Sequence, residues 1–143
     1  MSLKCDTYHQ YCLYFSANSL SRFITEMAEE EFRITGLAPS YAYLMMYLVE
    51  EPGLTQNELS RKMNLKPSTM TRFIEKLLQK GLVERVQSGR VVNIFPTNKG
   101  EEMKDLIQLA LKNLYKKYSE ALGEDFAKKL TADIHQANLK LGN

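Results

Sequence analysis

The sequence contains no tryptophan and only two cysteines and two histidines among its 143 residues. Cys5 and Cys12 are seven positions apart, and we expect no disulfide between them, because a bridge needs Cα atoms within about 7 Å. Neither cysteine lies in a C-x-x-C motif and His9 and His135 form no H-x-x-x-H pair, so we expect no zinc site. A chain of this length buries enough surface to fold without such crosslinks.

Long apolar runs and catalytic motifs are also missing. No run approaches the roughly 18–20 apolar residues that span a bilayer, and the first residues lack the basic-then-apolar layout of a signal peptide. We therefore expect a cytoplasmic protein with no membrane partner. Because the sequence has no Walker loop, no G-x-S-x-G and no G-x-G-x-x-G, and neither histidine has an acid–base partner nearby, we expect no enzymatic activity and no cofactor.

Charge, by contrast, is abundant and unevenly distributed. The net charge is only +2, yet residues 1–60 carry 3 basic and 8 acidic side chains. Residues 61–90 carry 8 basic and 2 acidic side chains, and residues 91–143 carry 8 and 7. A basic block of thirty residues inside a near-neutral protein predicts an anionic partner, with nucleic acid as the first candidate.

Apolar residues at helical spacing predict helices on both sides of the basic block. One helix is predicted over 8–32 and a second over 40–50, which is apolar on nearly all sides and therefore central and buried. After the basic block, Thr97 is suited to cap a long helix that ends at about residue 122, and a last helix follows Gly123.

Two short helices are predicted within the basic region. Thr55 and Glu58 form a capping box, in which the Thr55 hydroxyl and the Glu58 carboxylate satisfy each other's backbone amides, and this predicts a helix over 56–63. After a three-residue turn, Pro67 begins a second helix, where its missing N–H costs nothing, and Gly81 ends it.

The chain then changes to a strand pattern. The β-rich runs 82–86 and 91–95 lie around residues 87–90, which predicts a hairpin. Two helices joined by a short turn and followed by a hairpin form a winged helix-turn-helix. We expect a single, mainly α domain over 1–143 with a small β-hairpin wing, in which 53–100 form the winged helix-turn-helix.

The second short helix has two chemically different faces. Met70, Ile74 and Leu77 predict a packed face, and hydroxyl and basic side chains lie on another. Because arginine grips guanine and hydroxyls meet base edges or phosphates, we expect base contacts from Ser68, Thr69, Thr71 and Arg72 and phosphate contacts from Gln56, Lys66, Lys76 and Arg90. A basic stripe alone is often only a solvated helix face, but the capping box, Pro67 and the hairpin together favour DNA binding.

Residues 53–100 resemble the DNA-binding core of the MarR family of bacterial transcription regulators. The similarity is carried by residues 65–72 at the start of the second helix, 81–85 before the hairpin and 97–100 after it. It implies a homodimer that binds a pseudo-palindromic operator in double-stranded DNA. The wing departs from the family: its tip is a short Ser88-Gly89-Arg90 without the usual Asp-x-Arg-Asp-x-Arg pattern, so we expect weaker or differently placed wing contacts.

The residues also support a dimer without the family. The helices in 1–35 and 97–143 carry apolar stripes beyond what one small helix-turn-helix can cover, and we expect them to be dimerisation helices. Two-fold pairing places two recognition helices about one helical turn of DNA, roughly 34 Å, apart. The alternative is that some of these apolar residues pack in the core of their own chain and not in a dimer interface.

Members of the family commonly release DNA when they bind a small aromatic compound or when a thiol is oxidised, and the sequence offers a candidate for each signal. A candidate pocket for an aromatic effector consists of Tyr11, Tyr14, Phe15, Tyr41, Tyr43 and Tyr47. Aromatic residues at helical spacing are also ordinary core residues, so this alternative stays open.

Cys12 is the candidate for a thiol signal. Residues 10–18 resemble the sensing helix of OhrR-type organic-hydroperoxide regulators, which carry one reactive cysteine with tyrosines nearby. Reactivity requires a lowered thiol pKa, and His9 is the only basic side chain within one helical turn. A buried, inert cysteine is the other interpretation.

The sequence therefore predicts a sequence-specific, homodimeric DNA-binding transcription regulator of the repressor type. The resemblance to the family implies that a small aromatic ligand or another signal releases it from DNA. A thiol-based repressor that senses hydroperoxides through Cys12 is the alternative within this class. The alternative from another class is a winged helix used as a protein-interaction module. Such a module has no need of a basic recognition face, which residues 61–90 provide.

Overall fold

The computed structural model describes residues 7–142. It is mainly α-helical with one small antiparallel sheet, as the sequence predicts. The helices are α1 Tyr8–Tyr11, α2 Leu13–Glu31 with a 3-10 turn Phe32–Thr35, α3 Pro39–Glu50, α4 Gln56–Met63, α5 Pro67–Gln79, α6 Asn98–Glu101, α7 Lys104–Leu122 and α8 Glu124–Leu141. The strands are β1 Leu54–Thr55, β2 Val83–Ser88 and β3 Val91–Pro96.

The first predicted helix is divided at Cys12, so the expectation of one helix over 8–32 is wrong. Cys12 has extended backbone angles, φ −110° and ψ 113°, and becomes the N-cap of α2. The break lets α1 contact the first turns of α2, where the rings of Tyr8 and Phe15 stack 6.1 Å apart. A single extended residue leaves the spacing of the apolar residues almost unchanged, so this spacing does not reveal the break at Cys12.

The helix predicted after Thr97 is also divided. The Thr97 hydroxyl accepts a hydrogen bond from the Gly100 amide at 3.1 Å, which caps the four-residue α6, and the long α7 begins only at Lys104. The Met103 amide bonds the Gly100 carbonyl three residues earlier, at 3.1 Å. This tighter turn follows Gly100, which is buried against the Leu82 backbone. We attribute the end of α6 to this close contact.

The sheet has the strand order β1–β3–β2. The strand β1, which pairs Leu54 with Ile94, is missed by sequence reasoning because two residues carry no alternating pattern. The predicted hairpin is present, but β2 extends to Ser88 and the turn is only Gly89 and Arg90, shorter than the four residues expected. Gly89 has φ +64°, a left-handed conformation that suits glycine in a two-residue hairpin turn.

The core is built around α3, as predicted. Leu44, Met45 and Leu48 are fully buried, as are residues from α5, the sheet and α7. These buried side chains belong to one cluster, which also includes Leu59, Met70, Ile74, Leu77, Ile94 and Ile107. The helix-turn-helix and the start of α7 are therefore held on one common core.

Candidate nucleic-acid interface

The start of α4 is fixed by the predicted capping box. The Thr55 hydroxyl accepts from the Glu58 amide at 3.2 Å, and the Glu58 carboxylate accepts from the Thr55 amide at 2.9 Å. Both bonds satisfy amides that would otherwise lack a helical partner. The helix ends at Asn64, whose φ of 53° reverses the chain into the turn.

The recognition helix α5 begins at Pro67, as predicted, and is anchored by one apolar face. Met70, Ile74 and Leu77 are fully buried, and the ring of Phe73 lies 4.6 Å from the ring of Tyr41 on α3. Because residues three and four apart share a helix face, the exposed positions of α5, among them Ser68, Arg72 and Lys76, lie on the side away from the core.

The predicted DNA-contacting residues lie on and around this outer surface. Those that are exposed are Lys66, Ser68, Thr71, Arg72, Lys76 and Arg90, and those that are half-buried are Gln56 and Thr69. Within residues 7–142, the cationic groups of Lys66, Arg72, Lys76 and Arg90 form no hydrogen bond or ion pair with another side chain. These four charges are therefore available to an anion. The roles assigned to the individual residues stay predictions.

Two of the predicted residues contact each other. The Gln56 side-chain amide donates to the Thr71 hydroxyl at 2.5 Å, and that hydroxyl donates to the Pro67 carbonyl at 3.0 Å. The first turn of α4 is thereby joined to the first turn of α5. Sequence reasoning missed this contact because the two partners are fifteen positions apart.

The wing is joined to α5 by an ion pair that sequence reasoning also missed. The Arg85 guanidinium on β2 lies 2.6 Å from the Glu75 carboxylate on α5. Two further hydrogen bonds connect the hairpin to the segments beside the two helices. Asn93 in β3 donates to the Gly53 carbonyl before β1 at 2.6 Å, and Thr97 after β3 donates to the Gly81 carbonyl after α5 at 2.7 Å. The wing thus has a defined orientation relative to the outer face of α5.

The helices before and after this unit present apolar side chains to solvent. On the N-terminal side the exposed large apolar residues include Tyr11, Leu13, Tyr14, Phe15 and Phe23, and on the C-terminal side they include Leu109, Tyr115, Leu122, Phe126, Ile134, Leu139 and Leu141. So many exposed large apolar side chains on two neighbouring groups of helices are typical of an interaction site.

The structure does not bring the six predicted pocket residues together. Tyr11 and Tyr14 are 72% and 67% exposed, Tyr41 packs on Phe73, and Tyr47 lies beside Lys62 on α4. A different cavity of about 390 Å³ lies between α2, α3, α7 and α8, and Tyr43 is the one predicted residue that lines it. Its other lining residues are Leu20, Ile24, Ala28, Phe32, Pro39, Leu111, Leu114, Tyr118, Leu122, Ala127, Leu130, Thr131 and Ile134.

Tyr118, at the wall of this cavity, has a shifted pKa. Burial raises the pKa of Tyr118 above its ordinary value of about 10, and the nearby hydroxyls of Tyr115 and Tyr43 raise the pKa further. Tyr118 therefore keeps its phenol proton to a higher pH than an exposed tyrosine does.

Cys12 is a half-buried free thiol at the N-cap of α2. Its predicted neighbour, His9, has its ring nitrogen 3.3 Å from the Ser19 hydroxyl, and the ring packs on Phe15. The expected absence of a disulfide concerns Cys5, which lies outside the described residues.

Among residues 7–142, no three His, Cys, Asp or Glu side chains are grouped so that they would hold a metal ion. Over the same residues, no helix combines the length and the apolar character needed to cross a membrane.

Comparison with known proteins gives a consistent result. Residues 39–91, from α3 to the start of β3, match the model of the MarR family. The chain is 26% identical over 127 residues to the HTH-type transcriptional repressor MdtR of Bacillus subtilis, covering 80% of this chain and 82% of that protein. It is 24% identical over 92 residues to the uncharacterised HTH-type transcriptional regulator YybA of the same organism; this match covers 62% of the chain and 61% of YybA, less than two thirds of that relative.

The fold is shared with solved repressor structures. The transcriptional repressor CouR bound to a 23-mer DNA duplex superposes with a TM-score of 0.83 at 18% identity, covering 96% of this chain and 99% of that one. CouR from Rhodococcus jostii RHA1 bound to p-coumaroyl-CoA superposes with a TM-score of 0.76 at 18% identity, covering 90% and 92%. The winged-helix architecture with its flanking helices is therefore that of a known repressor.

Proposed function

This chain is a MarR-family transcriptional regulator, and we propose that it acts as a homodimeric repressor on a pseudo-palindromic operator in double-stranded DNA. The observation that carries the proposal is the outer face of α5, where Arg72 and Lys76 are exposed and have no anionic partner among residues 7–142. A relative named as a repressor, MdtR, and the DNA-bound form of CouR support it.

We assign different roles to the residues of this face. Ser68, Thr69 and Arg72 lie at the start of α5, the part of a recognition helix that meets base edges. Thr71, directly before Arg72, completes the proposed base contacts, and its bond to Gln56 joins α5 to α4. Lys66, Lys76, Gln56 and Arg90 complete the surface as phosphate contacts at its edges and on the wing.

The test compares Arg72→Ala with Lys76→Ala on an operator selected from random DNA. Arg72→Ala is expected to cost about 1–3 kcal/mol on the operator and to relax specificity at one base pair. Lys76→Ala is expected to weaken operator and random DNA alike and to lower the salt slope of binding by about one. Arg33→Ala, an exposed arginine outside the helix-turn-helix, is the control. Equal losses on both DNAs for both variants would contradict these roles.

A salt series separates DNA binding from the other class of function, a protein-interaction module. The affinity of the wild-type protein for random duplex is expected to fall steeply as the salt concentration rises, because lysine and arginine side chains that bind phosphates release counterions from the DNA. Absence of DNA binding at low salt would favour the interaction module.

We propose that residues 53–100 are the DNA-binding core and that the helices in 1–35 and 97–143 form the dimer. The exposed apolar side chains of α2 and α8 support this division. Dimerisation through these helices would leave both α5 helices free for adjacent major grooves. The whole unit would act on DNA in the cytoplasm. It would catalyse no reaction, since the matched family and the two curated relatives are transcription regulators.

We further propose that a small aromatic ligand releases the operator by binding in the cavity between α2, α3, α7 and α8. The volume of about 390 Å³ suits such a molecule. The cavity wall is mostly apolar, with Tyr43, Tyr118 and Thr131 as its polar side chains. Because the cavity lies between the terminal helices and α3, a molecule bound in it would shift the helix-turn-helix relative to the dimerisation helices. The complex of CouR with p-coumaroyl-CoA supports this kind of signal.

Calorimetry with phenol, benzoate and p-coumaroyl-CoA tests the cavity. Leu130→Trp would fill the space, and we expect it to abolish binding while the protein stays dimeric. Val92→Trp, at an exposed apolar position of β3 outside this cavity and outside the terminal helices, is the control. Unchanged binding in Leu130→Trp would place the ligand elsewhere.

The thiol signal at Cys12 is a second candidate, supported by the position of this half-buried free thiol at the N-cap of α2. If it is correct, Cys12→Ser will abolish DNA release by cumene hydroperoxide. Unchanged release in this variant would eliminate the candidate.

A further inference from the structure

We infer that Glu75 and Arg85 are positioning residues for operator binding: Arg85 holds the Glu75 carboxylate away from the cations of α5 and fixes the wing against that helix. The inference rests on the proposed function, because it requires that the outer face of α5 meets DNA. Neither residue is assigned a contact with DNA.

Glu75 occupies an unusual position for a carboxylate. It lies three residues after Arg72 and directly before Lys76, so α5 carries one carboxylate among the cations proposed to bind DNA. Both Glu75 and Arg85 are partly exposed, and their charged groups are 2.6 Å apart. A free carboxylate here would repel phosphates, and the pair with Arg85 compensates its charge.

The same ion pair also holds the wing. The strand order β1–β3–β2 makes β2 an edge strand, held by β3 on one side only. Arg85 is the third residue of β2, beyond the point where Leu82 bonds back to Leu77 at 3.0 Å. Within residues 7–142, the Glu75–Arg85 pair is the polar side-chain link between this strand and α5. Together with the hydrogen bonds of Asn93 and Thr97, it orients the hairpin and Arg90 at its tip.

Removal of Arg85 would release Glu75 toward the cations of its own helix. Side chains three residues apart on a helix are neighbours, and an acid and a base at this spacing attract each other. A released Glu75 would thus pair with Arg72, the residue proposed to read a base, and DNA would have to compete for that guanidinium. An exposed ion pair contributes little to folding, so the effect should appear in DNA binding rather than in stability.

The competing explanation is that Arg85 itself binds a phosphate, and a double-mutant cycle separates the two. We expect Arg85→Gln to weaken operator binding by about tenfold, and Glu75→Gln in the same chain to restore affinity to within about threefold of wild type, the remaining loss being that of the link between the wing and α5. A direct phosphate contact predicts no restoration, because the double variant still lacks the cation. Arg85→Lys, which keeps the charge, should retain most of the affinity.

The cycle is measured by fluorescence anisotropy on operator and random duplexes over a salt series, with thermal unfolding to check the fold. Glu84→Gln, an exposed acid on the same strand with no ion pair within the described part of the chain, is the matched control and should leave binding unchanged. Failure of Glu75→Gln to rescue Arg85→Gln would overturn this inference alone. If the wild-type protein does not bind DNA at all, it is the proposed function that fails.

Discussion

The helix-turn-helix unit and the terminal helices expose opposite kinds of side chain. In α5 the large apolar residues Met70, Ile74 and Leu77 are fully buried and the cations face solvent. In α2 and α8 the charges are mixed, and large apolar residues such as Phe23 and Phe126 face solvent. The first region thus exposes a charged surface that suits a polar partner. The second exposes an apolar surface that a second copy of the chain would bury.

The two regions also differ in how they are held. Short polar links between neighbouring elements fix the helix-turn-helix unit: the Thr55 capping box, the Gln56–Thr71 bond and the Glu75–Arg85 pair. Between α2 and α7 the described ion pairs are those of Lys117 with Glu30 and Glu31. We therefore expect polar links to contribute more to the geometry of the helix-turn-helix unit, and apolar contacts to contribute more to that of the terminal helices.

The largest effect is expected from a charge on the apolar surface of α8. Phe126 is 58% exposed, and Phe126→Glu should prevent dimerisation, because a carboxylate would be buried in the interface without a partner. Operator affinity should fall by about 100-fold or more, since the two modules no longer bind as one unit. Sedimentation and fluorescence anisotropy measure the two effects.

A control for this variant lies on the same helix. Lys129 is exposed on α8 and pairs only with Asp133 within the described residues. Lys129→Glu should therefore remain dimeric and bind the operator normally. If Phe126→Glu is also dimeric with wild-type affinity, the apolar surface of α8 is not the interface and the comparison between the two regions is wrong.

Gly100→Ala tests the joint between the two regions and should destabilise the protein strongly. Gly100 lies between the wing and α7, and an added Cβ would overlap the Leu82 carbonyl oxygen and lie 2.8 Å from the Met45 side chain. Because a backbone atom cannot swing aside, we expect a loss of about 3 kcal/mol in the free energy of unfolding. Urea unfolding measures it, with the exposed neighbour Glu101→Ala as control. A loss no larger than that of the control would mean that the wing moves easily relative to α7.

Thr55→Ala should have a smaller effect, within the helix-turn-helix alone. The variant removes the hydroxyl that accepts the Glu58 amide and should lower the free energy of unfolding by about 1 kcal/mol. Thr55→Ser keeps the hydroxyl and should behave as wild type. Equal stability of the Ala and Ser variants in urea unfolding would show that the cap does not hold α4.

Features that depend on neighbouring residues could be predicted from the sequence, whereas contacts between distant segments could not. The Thr55 capping box and the Pro67 start depend on residues within one helical turn, and both are predicted correctly. The Glu75–Arg85 pair joins a helix to a strand, so no local pattern reveals it. The break at Cys12 and the cavity between four helices are decided by packing between distant segments, which apolar spacing does not encode.

The smallest effect is expected from the polar link between the terminal helices. The Lys117 ammonium donates a hydrogen bond to Glu30 at 2.7 Å and holds the pKa of this carboxyl below its ordinary value of 4.5. A carboxyl whose pKa is lowered by folding stabilises the protein above its ordinary pKa and loses that contribution as pH falls through the lowered value. Glu30→Gln should therefore melt slightly below wild type at neutral pH, and the difference should vanish in acid.

Thermal unfolding from pH 7 to about pH 3 measures this difference, with the exposed neighbour Glu29→Gln as control. Because both charges of the Lys117–Glu30 pair lie at the surface, the shift should be small and should shrink further in high salt. A pH-independent difference would mean that Glu30 acts through packing rather than charge. If Glu30→Gln instead has the largest effect of the four substitutions, then polar links, not apolar burial, hold the terminal helices, and the contrast with the helix-turn-helix unit disappears.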